Sequence, residues 1–192
     1  MKLLSFSGLR RVGKTEAANI VVSLGVEMGI VIKRVSFADS LRELFSLQTG
    51  IAVGMLEAAE TKEDFRPRIL ALGKKLRAED PQALIKELSK TLTPGLNYCI
   101  DDTRLIEELA FVVRAGGKPF KVEADNDTRK KRGWKYDPSI DEDMNETELR
   151  GLTSFTFHEL GGGVAYNNKT IEDLRGVLTP IVKEVFVGRV LA

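Results

Sequence analysis

The sequence predicts an α/β domain of three layers, a mainly parallel sheet with helices on both faces, and three observations predict it. Strand-like and helix-like segments alternate along the chain. A glycine-rich loop stands between the first strand and the first helix. No internal repeat or low-complexity tract breaks the alternation. At 192 residues the chain has the length of one domain around one core.

The elements follow in order. Leu3 to Phe6 reads as a strand, Gly8 opens a short polar loop, and Thr15 enters an apolar-periodic helix that runs to about Gly29. Ile30 to Phe37 is a second, β-branched strand, after which Asp39 or Ser40 is placed to cap a helix containing Leu41, Leu44 and Phe45. From Gln48 to Asp64 periodicity is lost. Two helices are expected next, Phe65 to Ala78 and Pro81 to Thr91, with Pro81 in a first turn. Asn97 to Ile100 is a short strand. Leu105, Ile106, Leu109, Ala110, Val112 and Val113 then recur at helical spacing until Gly116 and Gly117, and a fourth strand is expected from Pro119 to Glu123. Asp125 to Arg150 is split into a basic half and an acidic half with few aliphatic side chains, so it reads as a mobile surface segment. Thr153 to Phe157 reads as the last strand. Asn167 to Thr170 then caps a helix with Ile171, Leu174, Val177, Leu178, Ile181, Val182, Val185 and Phe186 in one stripe.

Composition narrows the function classes. Hydrophobic residues make up 43% and charged residues 30%, with 29 Lys and Arg against 28 Asp and Glu, which suits a soluble globular protein and disfavours a nucleic-acid coat or an acidic tail. Cys99 is the single cysteine, so no internal disulfide forms, and a reducing cytoplasm fits best. His158 is the single histidine, which excludes zinc sites built on imidazole and leaves Ser-His-Asp chemistry only that residue to use. Five residues between Lys2 and Gly8 are too few for a signal-peptide core, and no run approaches a membrane span. No membrane and no stable nucleic-acid partner is expected. Gly161 to Gly163 lacks dinucleotide-loop spacing.

The strongest motif is Gly8-Leu9-Arg10-Arg11-Val12-Gly13-Lys14-Thr15, which fits G-x-x-x-x-G-K-[ST] at every fixed position and lies between strand and helix. Glycines let successive backbone N–H groups turn toward phosphate oxygens. Lys14 can reach the β- and γ-phosphates of ATP, and the Thr15 hydroxyl can ligate Mg²⁺. The alternative is an ordinary glycine turn before a basic helix start. A cation in a first turn opposes the helix dipole unless an anion sits there, which favours the phosphate reading. A GTP switch is disfavoured because Asn168-Lys169-Thr170-Ile171 lacks the aspartate of N-K-x-D. Asp102 follows a predicted strand, where its carboxylate can orient Mg²⁺ or fix Arg104; the lesser alternative is an aspartate that caps the next helix. Trp134 and Tyr136 can stack on a base or pack a hinge.

Phe37-Ala38-Asp39-Ser40-Leu41-Arg42, Asp102-Thr103-Arg104 with Glu108, Asn145-Glu146-Thr147-Glu148-Leu149, and Asn167 to Leu174 resemble, in order and spacing, motifs of bacteriophage-type deoxynucleoside monophosphate kinases. With the phosphate loop the resemblance runs from about Ser5 to Leu178. It implies a P-loop NMP-kinase-like domain over residues 1–192, with a helical NMP-binding insert at about 38–92 and a lid at about 125–150. It further implies transfer of the ATP γ-phosphoryl group to a nucleoside 5'-monophosphate with Mg²⁺, in the host cytoplasm if the chain is phage-encoded, and it allows a homodimer.

Carried over by position, Asp39 and Arg42 would lie in the acceptor site. Arg66 and Arg77 match the arginines of an Arg-x-x-Leu-Gln-x-Leu-Gly-x-x-x-Arg pattern, in which Leu70 here replaces the glutamine. Asp102 and Arg104 would serve the metal and the moving phosphate, and Arg129 and Arg132 would be lid cations over the phosphoryl oxygens. Glu146 would latch a lid arginine, with Asn145 in place of the family's serine. Two other readings stay open: a P-loop kinase with a non-nucleotide acceptor, and a nucleotide-dependent regulatory or nucleic-acid-associated ATPase module.

Overall fold

The computed structural model describes residues 1–58 and 61–188. Its strands are β1 (Lys2–Ser7), β2 (Ile32–Val35), β3 (Asn97–Ile100), β4 (Lys118–Glu123) and β5 (Gly163–Tyr166), hydrogen-bonded in the order β2-β3-β1-β4-β5 with every pair parallel. Leu3, Leu4, Ser5 and Phe6 of β1 are all at most 1% exposed, as the central strand of a sheet covered on both faces requires. Leu3 stands opposite Tyr98, and Phe6 opposite Phe120. The helix α1 (Lys14–Glu27) buries Ala17, Ala18, Val21 and Leu24 in one core with Leu4, Phe6 and Val122. Cys99 is fully buried there, and that burial pushes its thiol well above the usual range.

The chain divides into two compact units, Ser36–Leu92 and the remainder. The smaller unit is all helical: α2 (Phe37–Thr49), α3 (Val53–Glu57), α4 (Lys62–Glu79) and α5 (Ala83–Thr91). The cap of α2 is Ser36, whose hydroxyl accepts from Asp39 N at 2.9 Å; neither Asp39 nor Ser40 is the cap, and the helix begins a turn earlier than expected. Similarly α5 begins past Pro81, because the Asp80 carboxylate accepts from Gln82 N at 2.9 Å and completes a turn first. Arg68 lies over the rings of Phe45 and Phe65, 5.3 and 5.9 Å from their centroids.

In the larger unit the chain continues through α6 (Ile106–Arg114), α7 (Asn126–Lys131), α8 (Pro138–Asp141), α9 (Met144–Thr147), α10 (Ser154–Glu159) and α11 (Ile171–Val182), which ends in a π-helical turn, Lys183–Val187. Two expectations change here. Thr153 to Phe157 is not a strand: the Thr153 hydroxyl accepts from Thr156 N, the chain enters α10, and Phe157 is buried while Phe155 is 69% exposed. His158 is therefore exposed on a helix. The last strand is β5, reached through Gly162, where a Cβ would stand 1.5 Å from the Pro119 carbonyl oxygen. The stretch 125–150 also holds three short helices with buried Arg129, Asp141 and Glu146, joined by polar contacts where aliphatic ones are scarce. At the start of α11, Thr170 and Asp173 form the capping box, and Leu174, Leu178 and Val182 are buried, while Ile171 and Val177 face outward. Among the described residues no helix is long and apolar enough to cross a membrane.

Candidate active site at the phosphate loop

Residues 8–13 link the buried end of β1 to the first turn of α1. Gly13, the residue before the helix, holds φ at +99°, and a Cβ there would stand 2.3 Å from Asn167 Nδ2. Conformation and close approach both require glycine at that position. Arg11 is the one non-glycine among the described residues with positive φ, at 66°.

Lys14 is 8% exposed. Its Nζ turns back over the loop and donates to the carbonyl oxygens of Gly8 at 2.7 Å and Leu9 at 3.0 Å. Burial first, and then the positive charge of Arg104, lower its pKa to about 8, against the pull of Glu146, Asp102 and Asp101. The Thr15 side chain is exposed at the helix start.

Beyond β3 the backbone keeps pairing for a few residues: Asp101 N donates to Val35 O at 3.3 Å and Thr103 N to Phe6 O at 3.0 Å. This carries Asp101, Asp102 and Arg104 to the end of the sheet near Lys14. Glu108 accepts from the backbone N–H groups of Arg104 at 2.8 Å and Leu105 at 3.2 Å, which fixes the turn into α6. The Arg104 guanidinium pairs with Glu146. Burial works against its charge, and Glu146, Asp102 and Glu108 outweigh that and raise its pKa. Glu146, expected to latch an arginine of the 125–150 segment, therefore latches Arg104 outside it.

Arg129 and Arg132 are engaged with the loop itself. Arg129, 4% exposed, donates from Nε to Arg10 O at 2.9 Å and from Nη1 to Asn126 Oδ1 at 3.0 Å, and lies 3.9 Å from the centroid of the Trp134 ring. Arg132 donates from Nη1 to Val12 O at 3.0 Å, and from Nη2 to both the backbone oxygen and Oδ1 of Asn167 at 3.0 Å. Asn167 Nδ2 donates to the same Val12 O at 2.8 Å. Trp134 is half-buried beneath the Arg129 guanidinium, and its indole N–H donates to Asp141 at 3.0 Å. Asp141 also accepts from Arg10 Nη2 at 2.9 Å and Asp137 N at 2.8 Å.

Asn167 and Asp141 are the residues that sequence reasoning missed. Asn167, the first residue past β5, reads along the chain as part of the cap of α11, and nothing local marks its contact with the loop. A cavity of about 400 Å³ opens beside the loop, lined by Gly8, Leu9, Val12, Arg104, Glu146 and Arg150 among others. Thr15 and Asp102 present a hydroxyl and a carboxylate, the hard oxygen donors that Mg²⁺ takes together with phosphates and water. Among the described residues no group of three or more His, Cys, Asp or Glu side chains gathers to hold a metal.

The remaining predicted residues belong to the helical unit. Arg42 pairs with Asp39 on α2, and its Nε stands 3.2 Å from Glu57. Arg66 and Arg77 are half-buried on α4, where Arg77 Nε is buried without a hydrogen-bond partner.

No protein-family model matches the chain. Among solved structures it is similar to the shikimate kinase of Aquifex aeolicus VF5, at 14% identity and TM-score 0.52 over 97% of this chain and 99% of that one. It is also similar to the dephospho-CoA kinase of Campylobacter jejuni, at 13% identity and TM-score 0.50 over 97% and 98%. The likeness is one of fold, and it agrees with the α/β architecture that the sequence predicts; the sheet, expected to be mainly parallel, is five-stranded and parallel throughout.

Proposed function

We propose that this protein is an ATP-dependent small-molecule kinase, and that its acceptor is a nucleoside 5'-monophosphate. The observation that carries the reading is Lys14: a nearly buried ammonium in the first turn of α1, where the helix dipole opposes it, held by two carbonyls of a glycine loop that leads straight from the central strand. An anion bound by the loop N–H groups relieves both penalties. The fold likeness to two kinases supports the phosphotransferase class. The motifs shared with phage-type deoxynucleoside monophosphate kinases support the acceptor.

In this reading the loop N–H groups and Lys14 bind the triphosphate, with Lys14 exchanging its two carbonyl partners for phosphate oxygens. Thr15 and Asp102 would hold Mg²⁺, which neutralises charge on the phosphates. Arg104, oriented by Glu146 and by the Glu108-braced turn, stands ready for the transferring group. An acceptor phosphate oxygen attacks the γ-phosphorus, the bond to the β,γ-bridging oxygen breaks, and ADP leaves with that electron pair. Asp39, Arg42, Arg66 and Arg77 of the helical unit are assigned to the acceptor, with arginines matched to its phosphate.

Leu70, 39% exposed where the shared pattern has glutamine, favours a second reading with a non-nucleotide acceptor, because leucine cannot hydrogen-bond a base edge. The test is a coupled ADP-release screen over deoxy- and ribonucleoside monophosphates, with shikimate and dephospho-CoA as further acceptors. ADP release that depends on a monophosphate is the expected result. Turnover only with a non-nucleotide acceptor moves the protein to the second reading, and turnover without any acceptor makes it an ATPase module.

A further inference from the structure

We infer that Asn167 and Arg132 are positioning residues that set the phosphate-binding geometry of the loop from behind, through the carbonyl oxygen of Val12, without touching the bound anion. The argument starts from the peptide bond. The Val12 carbonyl and the Gly13 N–H belong to one planar trans unit, so they point in opposite directions. An anion-binding loop needs its N–H groups turned inward, and whatever holds the carbonyl outward holds the N–H inward.

Val12 O has two such holders, Asn167 Nδ2 at 2.8 Å and Arg132 Nη1 at 3.0 Å. The two holders are themselves joined, since Arg132 Nη2 donates to Asn167 Oδ1 and to its backbone oxygen, both at 3.0 Å. Asn167 is anchored in turn: it is 5% exposed, and its backbone N–H donates to Glu123 O at 2.8 Å, which continues the pairing of β5 with β4. The same geometry recurs one turn earlier in the loop, where Arg129 Nε holds Arg10 O at 2.9 Å and thereby orients the Arg11 N–H. Gly13 supplies an independent observation. A Cβ there would stand 2.3 Å from Asn167 Nδ2, so a side chain at residue 13 would push this amide out of its present place. The glycine serves the approach of Asn167 as well as the positive φ.

The proposal deepens the kinase reading and rests on its claim that the loop binds polyphosphate. The test uses inorganic tripolyphosphate and MgATP in calorimetric titrations of wild type, Asn167→Ala, Asn167→Asp, Arg132→Lys and the double variant Asn167→Ala/Arg132→Lys. Melting temperature shows that each is folded. Asn167→Ala is expected to weaken both ligands about tenfold, the scale of one lost buried hydrogen bond. Asn167→Asp should be at least as weak, because it sets a carboxylate oxygen against Val12 O while leaving Arg132 a partner. The double variant should lose less than the sum of the singles, and the KM of the acceptor should stay within about twofold throughout. If folded Asn167 variants bind tripolyphosphate as wild type does, the clamp is overturned while the kinase reading stands. If Arg132→Lys keeps wild-type affinity and only kcat falls, Arg132 contacts the reacting phosphate and the clamp is again overturned. If wild type binds neither ligand, the phosphate-loop reading itself fails, and the clamp with it.

Discussion

Removing the carboxylate of Asp141 should loosen the 125–150 segment against the phosphate loop, while Arg129 and Arg132 still tie it to Arg10 O and Val12 O. Asp141 is 3% exposed and its carboxylate accepts three hydrogen bonds, from Arg10 Nη2 at 2.9 Å, Trp134 Nε1 at 3.0 Å and Asp137 N at 2.8 Å. Asp141→Ala leaves a guanidinium, an indole N–H and a backbone N–H without that partner. At about 1–3 kcal/mol for each stranded donor, reduced because Arg10 retains Lys135 O at 2.7 Å and has some access to water, the local loss is about 3–4 kcal/mol. Asp141→Asn keeps one acceptor oxygen but sets an NH₂ among donors, so it should lose about half as much. The segment can open without unfolding the sheet, and the sensitive assay is therefore native-state proteolysis within 125–150, with global denaturation as the control. A local loss of that size raises the cleavage rate about a hundredfold or more wherever opening limits access. The same contact gives a pH signature. Burial pushes the Asp141 pKa upward, but the Asp137 N–H, the Trp134 indole and Arg10 outweigh it and hold the folded pKa below the usual value. Its contribution is thus fully present above about pH 4 and is lost as pH falls through the folded value. Cleavage should accelerate with acid in wild type and stay flat in Asp141→Asn. Cleavage of Asp141→Ala within threefold of wild type would refute the reasoning and show that the segment is held elsewhere.

Four further outcomes are expected. Lys14→Ala should cut kcat more than tenfold with an unchanged circular dichroism spectrum, because the side chain serves phosphate and not the core. Since the free-state Lys14 pKa is about 8, wild-type tripolyphosphate affinity should fall by up to tenfold per pH unit above pH 8, and Lys14→Met should show no such slope in a calorimetric pH series. Arg42→Ala and Arg66→Ala should each raise the acceptor KM severalfold and leave the ATP KM within about twofold; steady-state kinetics with the roles reversed would exchange the two sites. Gly162→Ala should destabilise the sheet by more than about 3 kcal/mol in urea, because its Cβ would stand 1.5 Å from the Pro119 carbonyl oxygen at the β4–β5 edge.

Much of the frame was legible because it rests on local rules. Glycines 8 and 13 with Lys14 announce the loop, the unbroken apolar run Leu3 to Phe6 announces a strand buried on both faces, and Thr170 with Asp173 announces the start of α11. The misreadings lie where local and long-range preferences conflict. Thr153 to Phe157 alternates as a strand does, yet the Thr153 cap and the one buried ring, Phe157, go with α10. Gly161 to Gly163 lacks any recognised loop spacing, yet the start of β5 needs Gly162 to pass the Pro119 carbonyl.

The sequence by itself therefore determined most of the strands and helices through β4 and the glycine loop with its lysine, since each depends on residues within a few positions of one another. Only the tertiary structure decided what the charged segment does. Arg129, Arg132, Asp141 and Asn167 find their partners across sequence separations of up to 155 residues, and the targets include backbone carbonyls of the loop. A backbone oxygen leaves no mark on residue type, so no pattern along the chain could single out Arg10 O or Val12 O as the groups these side chains hold.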